Sequence, residues 1–149
     1  MNILVINGPN LNLLGIREPN IYQNQTYQDL VDFLNDYATS NNQRIEIFQS
    51  NHEGQIIDKL HEAYYKKFDG IIINPGAYTH YSYAIRDAIA SINIPTIEVH
   101  LTNILKRENW RSISVIKDVC VISFMGEHFK SYQNAIDYFI DQERANHAK

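Results

Sequence analysis

A glutamate and a histidine, Glu98 and His100, stand two residues apart near the end of a short run rich in Ile and Val. If that run is a strand, both side chains point to the same side of it, because side chains alternate along a strand. A carboxylate beside an imidazole fixes the tautomer of the ring and favours its protonated form. The pair therefore predicts a proton-donating histidine at the end of a strand.

Two arginines follow shortly after, at Arg107 and Arg111. Residues four apart lie on one face of a helix, so the two side chains align if that stretch is helical. Guanidinium groups bind carboxylates and phosphates through paired N–H donors. Two of them close to His100 predict an anionic substrate.

Other kinds of chemistry find little support in the sequence. Cys120 is the one cysteine, which excludes an internal disulfide and a Cys-based metal cage, and its apolar surroundings predict a position in the middle of a strand. The six histidines are scattered, and no serine lies in a GxSxG turn. What remains is acid–base chemistry by His, Tyr, Glu and Arg, with Asn amides as positioning groups. That set favours proton abstraction or elimination on a small anionic molecule, with no metal or cofactor.

Length and charge limit the class of protein. The chain has 149 residues, which predicts one domain spanning residues 1–149. Its net charge of −4 does not fit a nucleic-acid-binding module, which needs clustered cations. No apolar run approaches the ~18 residues of a membrane span, and the N-terminus lacks a signal-peptide pattern. We expect a cytoplasmic protein with neither nucleic acid nor membrane as a partner.

Short apolar runs alternate with helical periodicity along the whole chain. The predicted strands cover residues 2–7, 44–49, 70–73, 95–99 and 119–124. Apolar stripes between and after them predict four helices, the first capped by Thr26 with Asp29 three residues later. This alternation predicts an α/β, flavodoxin-like doubly wound sheet of five parallel strands with helices on both faces. The order of the strands stays open.

In such a sheet, ligands bind at the carboxyl ends of the strands. The loop after the first strand, beginning at Gly8, is long for a βα connection, and this length predicts a lid or a binding loop. Gly8 and Gly15 are candidate hinges for it. The loop has neither the GxGxxG pattern of a dinucleotide site nor the GK[ST] of a Walker A loop.

Five blocks of the sequence resemble the type II 3-dehydroquinate dehydratases. The first consists of residues 8–15 with Arg17, Glu18, Pro19 and Tyr22; the others are residues 50–54, 73–80, 84–88 and 97–103. The blocks occur in the order and at the spacing of the family, across roughly residues 2 to 114. The resemblance implies a flavodoxin-like subunit, assembled as a dodecamer from trimers. It also implies the anti elimination of water from 3-dehydroquinate to 3-dehydroshikimate through an enolate, without Schiff base or metal, in the shikimate pathway or in quinate breakdown.

The resemblance also implies roles for individual residues. Tyr22, as the tyrosinate, removes the proton beside the ketone, and Arg17 favours that anion. His100 is the general acid, Glu98 supports it, and Asn10 holds a water that stabilises the enolate.

The remaining implied residues hold the substrate or close over it. Those that hold the carboxylate and hydroxyls of the substrate are Asn74, His80, Leu101, Thr102 and Arg111. Arg107 closes over the site with the lid, and Asp87 reaches the site of a neighbouring subunit.

Some positions depart from the family pattern, and two other functions stay open. Gln23 follows the lid tyrosine where glycine is common, Tyr81 follows His80 where a small residue is usual, and the last strand region keeps only Gly126. One alternative is a flavodoxin-like module that binds a nucleotide or flavin without chemistry. The other is a scaffold that has kept the fold and lost the activity.

Overall fold

The computed structural model describes residues 1–16 and 25–148. Its strands are β1 (Asn2–Asn7), β2 (Arg44–Gln49), β3 (Gly70–Asn74), β4 (Thr96–His100) and β5 (Ile122–Met125). Its α-helices are α1 (Tyr27–Ser40), α2 (Glu53–Tyr65), α3 (Tyr83–Ile92) and α4 (Phe129–His147). Short 3₁₀ turns lie in the connections, mostly after the carboxyl ends of the strands.

All five strands are parallel and form one sheet in the order β2-β1-β3-β4-β5. The chain moves outward from β1 to β2, then crosses back to β3 and continues in the other direction. The predicted flavodoxin-like fold is confirmed, and the strand order that the sequence left open is now defined. The reversal places the carboxyl ends of β1 and β3 side by side, where open α/β sheets bind their ligands.

Helices cover both faces of the sheet. On one face, Val5 of β1 lies in a buried cluster with Leu30 of α1 and Ile136 of α4. On the other face, Ile6 lies in a second cluster, the α2–α3 cluster, with Ile56 of α2 and with Ile85 and Ile89 of α3. Each fully buried aliphatic side chain contributes about 1.5–3 kcal/mol relative to an exposed one, so these two clusters fix the strands that carry the site.

The start of α1 follows the predicted cap. The Thr26 hydroxyl accepts a hydrogen bond from the backbone N–H of Asp29, and the Asp29 carboxylate accepts one from the backbone N–H of Thr26. This reciprocal pair satisfies two N–H groups that the helix itself leaves without partners. It fixes the point at which the chain enters α1.

The last strand lies later in the sequence than predicted. Residues Lys117–Val119 form a 3₁₀ turn, and Cys120 follows that turn, so its predicted position in the middle of a strand is wrong. Pairing with β4 begins where the Val121 backbone N–H donates to the Thr96 carbonyl. Val119 and Cys120 pack against the α2–α3 cluster instead of pairing. An apolar run identifies the buried residues without showing which of them pair.

An α-helix needs a long and predominantly apolar stretch to cross a lipid bilayer. Across residues 1–16 and 25–148, no helix combines the length and the apolar character that such a crossing requires.

Candidate active site

A pocket of about 150 Å³ opens at the carboxyl ends of β1, β3 and β4. Many of the residues predicted for the site line it: Asn10, Asn74, His80, His100, Leu101, Thr102, Arg107 and Arg111. Pro9, Leu11, Gly76, Ala77 and Ile104 complete its described wall. The structure thus brings together side chains from three separate βα connections. A larger cavity, about 620 Å³, lies by Met1, Asp69 and Pro95 at the opposite end of the sheet, away from these groups.

The predicted Glu98–His100 pair forms at the end of β4. The Nε2 atom of His100 lies 2.6 Å from Oε2 of Glu98, and both residues are almost fully buried. Because an ionised carboxylate only accepts hydrogen bonds, Nε2 carries a proton and donates it to Glu98. Nδ1 is then the ring nitrogen that gains or loses the second proton. The other carboxylate oxygen of Glu98 accepts a 3.2 Å hydrogen bond from the Ser123 hydroxyl on the paired strand β5.

The charge of Glu98 depends on these partners. Burial raises the pKa of a carboxyl group, but the hydrogen bond and charge of His100, with the Ser123 hydroxyl, bring the pKa of Glu98 below its ordinary value. Glu98 is therefore ionised at neutral pH. This carboxylate fixes the orientation and the tautomer of the His100 ring through its hydrogen bond to Nε2.

His80 is suited to accept a hydrogen bond rather than to donate a proton. Its Nδ1 lies 2.7 Å from the Ile113 carbonyl, which only accepts, so Nδ1 carries the proton in the neutral ring. Burial lowers the pKa of His80 below its ordinary value; the hydrogen bond to the Ile113 carbonyl opposes this shift, and the charges of His100 and Arg111 add to it. The neutral ring leaves Nε2 as an acceptor for a ligand hydroxyl.

The two arginines reach the pocket by a route that differs from the predicted helix. Arg107 follows one 3₁₀ turn, Ile104–Lys106, in extended backbone, and Arg111 lies in a second turn, Asn109–Ser112. The expectation of one continuous helical face is therefore wrong, although both side chains line the pocket. Six residues lie between His100, the end of β4, and Arg107, and this stretch ends in a short 3₁₀ turn rather than a helix.

Neighbouring side chains hold the Arg111 guanidinium. Its Nε lies 2.6 Å from Oε2 of Glu108, as a close ion pair without the alignment of a full hydrogen bond. The guanidinium carbon stands 4.2 Å from the centre of the Trp110 ring, within range of a cation–π contact. These contacts restrict a flexible side chain before any ligand arrives.

The first loop approaches the third very closely. A Cβ atom on Gly8 would lie 2.4 Å from the Pro75 carbonyl oxygen, so only glycine fits at this position. The Gly8 backbone N–H donates to the Asn74 carbonyl at 2.8 Å. Asn10 has a left-handed backbone with φ of 69°, and its N–H donates to Oδ1 of Asn51 at 3.0 Å. Gly8 is thus explained by close packing of two chain segments, while its predicted role as a hinge stays a prediction.

The remaining predicted residues lie either outside the described part of the chain or away from the described pocket wall. Arg17, Tyr22 and Gln23 lie outside the described residues. Asp87 is exposed on α3 and does not line the pocket, so its intersubunit role stays a prediction. Tyr81 is 57% exposed and contacts the edge of Tyr78 beyond the pocket wall.

The structure also shows polar groups behind the pocket wall that sequence reasoning did not connect with the site. Tyr132 lies on the buried face of α4, and its hydroxyl bonds to both Asn7 and Asn74. Ser123 was not singled out, although it bonds to Glu98. No sequence signal identifies these partners, because the contacts depend on the packing of distant elements.

The pocket therefore combines a proton donor, two cations and several amide and backbone groups. Among residues 1–16 and 25–148, no cluster of three or more His, Cys, Asp or Glu side chains has the geometry to hold a metal ion. Burial and the charge of Glu98 raise the pKa of the Cys120 thiol to about 12, so it is not a nucleophile at neutral pH. The arrangement can bind a small anion and transfer protons to or from it.

Fold and site together define a doubly wound α/β protein with an acid–base pocket at the switch point of its sheet. Residues 1–140 match the family described as dehydroquinase class II, and the chain belongs to that family.

Known relatives resemble the chain over most of its length. A protein of Caldicellulosiruptor bescii named 3-dehydroquinate dehydratase is 59% identical over 130 residues, which are 87% of this chain and 90% of the relative. The crystal structure of a type II dehydroquinase from Butyrivibrio crossotus matches with a TM-score of 0.92 and 58% identity, over 93% of this chain and 97% of that one. A type II dehydroquinase from Propionibacterium acnes matches with a TM-score of 0.88 and 37% identity, over 92% and 94% of the two chains.

Proposed function

We propose that the chain is a 3-dehydroquinate dehydratase that removes water from 3-dehydroquinate by an anti elimination through an enolate, without a Schiff base or a metal ion. Its family and the names of its relatives support the reaction. The observation that carries the proposal is the buried Glu98–His100 pair at the edge of a pocket lined by Arg107 and Arg111. That arrangement offers a proton to the leaving hydroxyl of a bound anion.

His100 acts as the general acid in this proposal. Its Nε2–H is held by Glu98, so Nδ1 is the nitrogen that protonates the departing hydroxyl. Glu98 keeps the ring in one orientation and stabilises its charged form. A positioned general acid typically raises the rate 10²–10⁴-fold, because it protonates the hydroxyl as the hydroxyl leaves.

Tyr22 acts as the base, with Arg17 beside it. A free tyrosine has a pKa of ~10, so only ~0.1% of it is ionised at pH 7. Lowering that value by two units would require ~2.7 kcal/mol of differential stabilisation. A guanidinium in a site closed from water can supply this amount, so closing the loop that carries Arg17 and Tyr22 would also activate the base.

The substrate carboxylate and hydroxyls bind to the groups that line the pocket. Arg111, Asn74 and the backbone of Leu101 and Thr102 hold them, and neutral His80 accepts a hydrogen bond from a hydroxyl. Asn10 holds the water that stabilises the enolate.

Three further parts of the proposal concern the lid, the assembly of subunits, and the location and pathway of the enzyme. Arg107 closes over the ligand with the lid. Asp87 completes the site of a neighbouring subunit in a dodecamer built from trimers, which would explain why this carboxylate is exposed in the single chain. We place this single catalytic domain in the cytoplasm, in the shikimate pathway or in quinate breakdown.

The test is turnover of 3-dehydroquinate by the wild type and by two pairs of variants. Tyr22→Phe should lose turnover and still bind substrate, whereas Tyr65→Phe, which changes an exposed tyrosine of α2, should behave as the wild type. His100→Ala should also lose turnover, with exposed His61→Ala as its control. Near-normal turnover of Tyr22→Phe would remove Tyr22 as the base. If His100→Ala changed only substrate affinity, the acid role would be wrong.

A further inference from the structure

We infer that Tyr132 is a positioning residue for substrate binding, because its buried hydroxyl holds the amide of Asn74 at the pocket wall. The inference rests on the proposed function and adds to it a residue that does not line the pocket. Tyr132 lies in α4, which covers one face of the sheet, and is fully buried. It acts through Asn74 rather than by touching the substrate.

The hydroxyl of Tyr132 stands between two asparagines on neighbouring strands. It accepts a 2.9 Å hydrogen bond from Nδ2 of Asn74 and donates a 2.6 Å hydrogen bond to Oδ1 of Asn7. Asn7 and Asn74 are the last residues of β1 and β3 and are directly paired in the sheet. Nδ2 of Asn7 then lies 3.4 Å from the hydroxyl of Tyr27, the first residue of α1. The chain of contacts thus joins two strands and two helices beneath the pocket.

The direction of each bond in this chain is set by one backbone group. The N–H of Gly76 can only donate, and it lies 3.3 Å from the Asn74 side chain, so Oδ1 of Asn74 must face it. Nδ2 of Asn74 must then face Tyr132 and donate to it. Having accepted that bond, the Tyr132 hydroxyl donates its own proton to Asn7. The donor and the acceptor of each of these bonds are thereby assigned, and the amide of Asn74 has one orientation.

A fixed amide has a consequence for the ligand. Asn74 lines the pocket while remaining 4% exposed, so the ligand meets a small part of an immobile group. An ordered polar group loses little freedom on binding, which favours affinity. Removing the Tyr132 hydroxyl would leave Nδ2 of Asn74 without this acceptor in a buried position, and the side chain would turn towards other partners. Substrate affinity should fall, while the groups that transfer protons keep their places.

Kinetics of Tyr132→Phe with 3-dehydroquinate test this inference. We expect KM to rise roughly tenfold, which corresponds to about 1.4 kcal/mol of binding free energy, with kcat within about threefold of the wild type. Tyr37→Phe is the matched control. It removes a tyrosine hydroxyl that bonds to Asp137 between α1 and α4, so it disturbs the same pair of helices away from the pocket. Its KM should stay at the wild-type value.

A double-mutant cycle separates positioning from general loosening. If Tyr132 acts through Asn74, adding Tyr132→Phe to Asn74→Ala should raise KM no further than Asn74→Ala alone. Full additivity in the cycle would overturn the inference, as would an unchanged KM in Tyr132→Phe.

If Tyr132→Phe does not fold, as judged by circular dichroism, Asn7→Ala provides a second test. It removes the acceptor of the Tyr132 hydroxyl and should raise KM at least threefold at unchanged kcat. An unchanged KM in Asn7→Ala would contradict the proposed role of the Asn74–Tyr132–Asn7 hydrogen bonds in substrate binding. A wild-type protein without turnover would instead overturn the proposed function, and this inference with it.

Discussion

Replacing Glu98 with glutamine tests the pair at the centre of the site. The change removes one charge and keeps the shape of the side chain. Glutamine can still accept the Nε2–H of His100 across the observed 2.6 Å, so the ring keeps its position. What disappears is the attraction between the carboxylate and a protonated imidazole.

The expected loss follows from the size of that attraction. Two unit charges about 4 Å apart attract by about 4 kcal/mol at an effective dielectric constant of about 20. Since 1.36 kcal/mol is a factor of ten in rate, complete loss of this attraction at the acid step sets an upper limit of about 10³-fold. Protein relaxation reduces the limit, and we expect kcat to fall about 10²-fold. The free energy of unfolding at pH 7 should fall by only about 1 kcal/mol, because one hydrogen bond is weakened rather than lost.

The assay is steady-state turnover of 3-dehydroquinate across a range of pH, together with urea unfolding. Glu46→Gln is the control, because Glu46 also forms an ion pair, 2.5 Å from Lys59, but on β2 outside the pocket. Its kinetics should match the wild type. A fall of less than threefold in kcat for Glu98→Gln would refute the argument that the Glu98 charge supports the acid. A collapse of the fold would contradict the expected loss of only about 1 kcal/mol in the free energy of unfolding, because Glu98 would then be needed mainly for stability.

Three further predictions concern stability. Gly8→Ala should lower the free energy of unfolding by about 1–3 kcal/mol and raise KM, because the new Cβ would overlap the Pro75 carbonyl. The same urea and turnover assays measure both effects, and an unchanged stability would contradict the close approach. Burial, followed by the hydrogen bond and charge of Asp137, raises the pKa of Tyr37 to about 12, so this stabilisation is present below pH ~10 and lost as pH rises to about 12. Tyr37→Phe should lack that alkaline loss, and identical alkaline unfolding curves for both proteins would count against it. The pKa of Glu98 is lowered in the folded state despite burial, mainly through His100, so its contribution is present above its ordinary pKa and lost as pH falls through the lowered value. Acid unfolding of Glu98→Gln should be correspondingly less steep, and equal steepness would show that Glu98 is not the group responsible.

The fold could be predicted because its signal is local and repeated. Buried parallel strands are continuously apolar, as in residues 70–73 of β3, and the helices between them carry one apolar stripe each. Strand order could not be predicted, since it depends on which crossover packs best against the sheet. The boundary of β5 was missed for a related reason: Val119 and Cys120 are as apolar as strand residues but pack in a turn against the α2–α3 cluster.

Some residues of the candidate site could likewise be predicted from local spacing, and others are brought together only by packing. Glu98 and His100 were predictable as a pair because a two-residue spacing on a strand already determines that they share a side. The bond between Asn7 and Tyr132 joins residues 125 positions apart, and it exists only because α4 packs across β1 and β3. Such a contact leaves no trace in local spacing. The resemblance to a family supplied residue roles, and the structure supplied the groups that hold those residues in place.

The most direct test of the central claim is turnover of 3-dehydroquinate by the purified protein in EDTA, followed by the near-ultraviolet absorbance of the conjugated product. The measurement is repeated after treatment with borohydride in the presence of substrate, which would trap a lysine imine. The proposed elimination predicts turnover that survives both treatments. Loss with EDTA would implicate a metal ion, and loss only after borohydride would implicate an imine and contradict the tyrosinate mechanism. No turnover under any condition would contradict the proposed function and favour a binding module or an inactive scaffold.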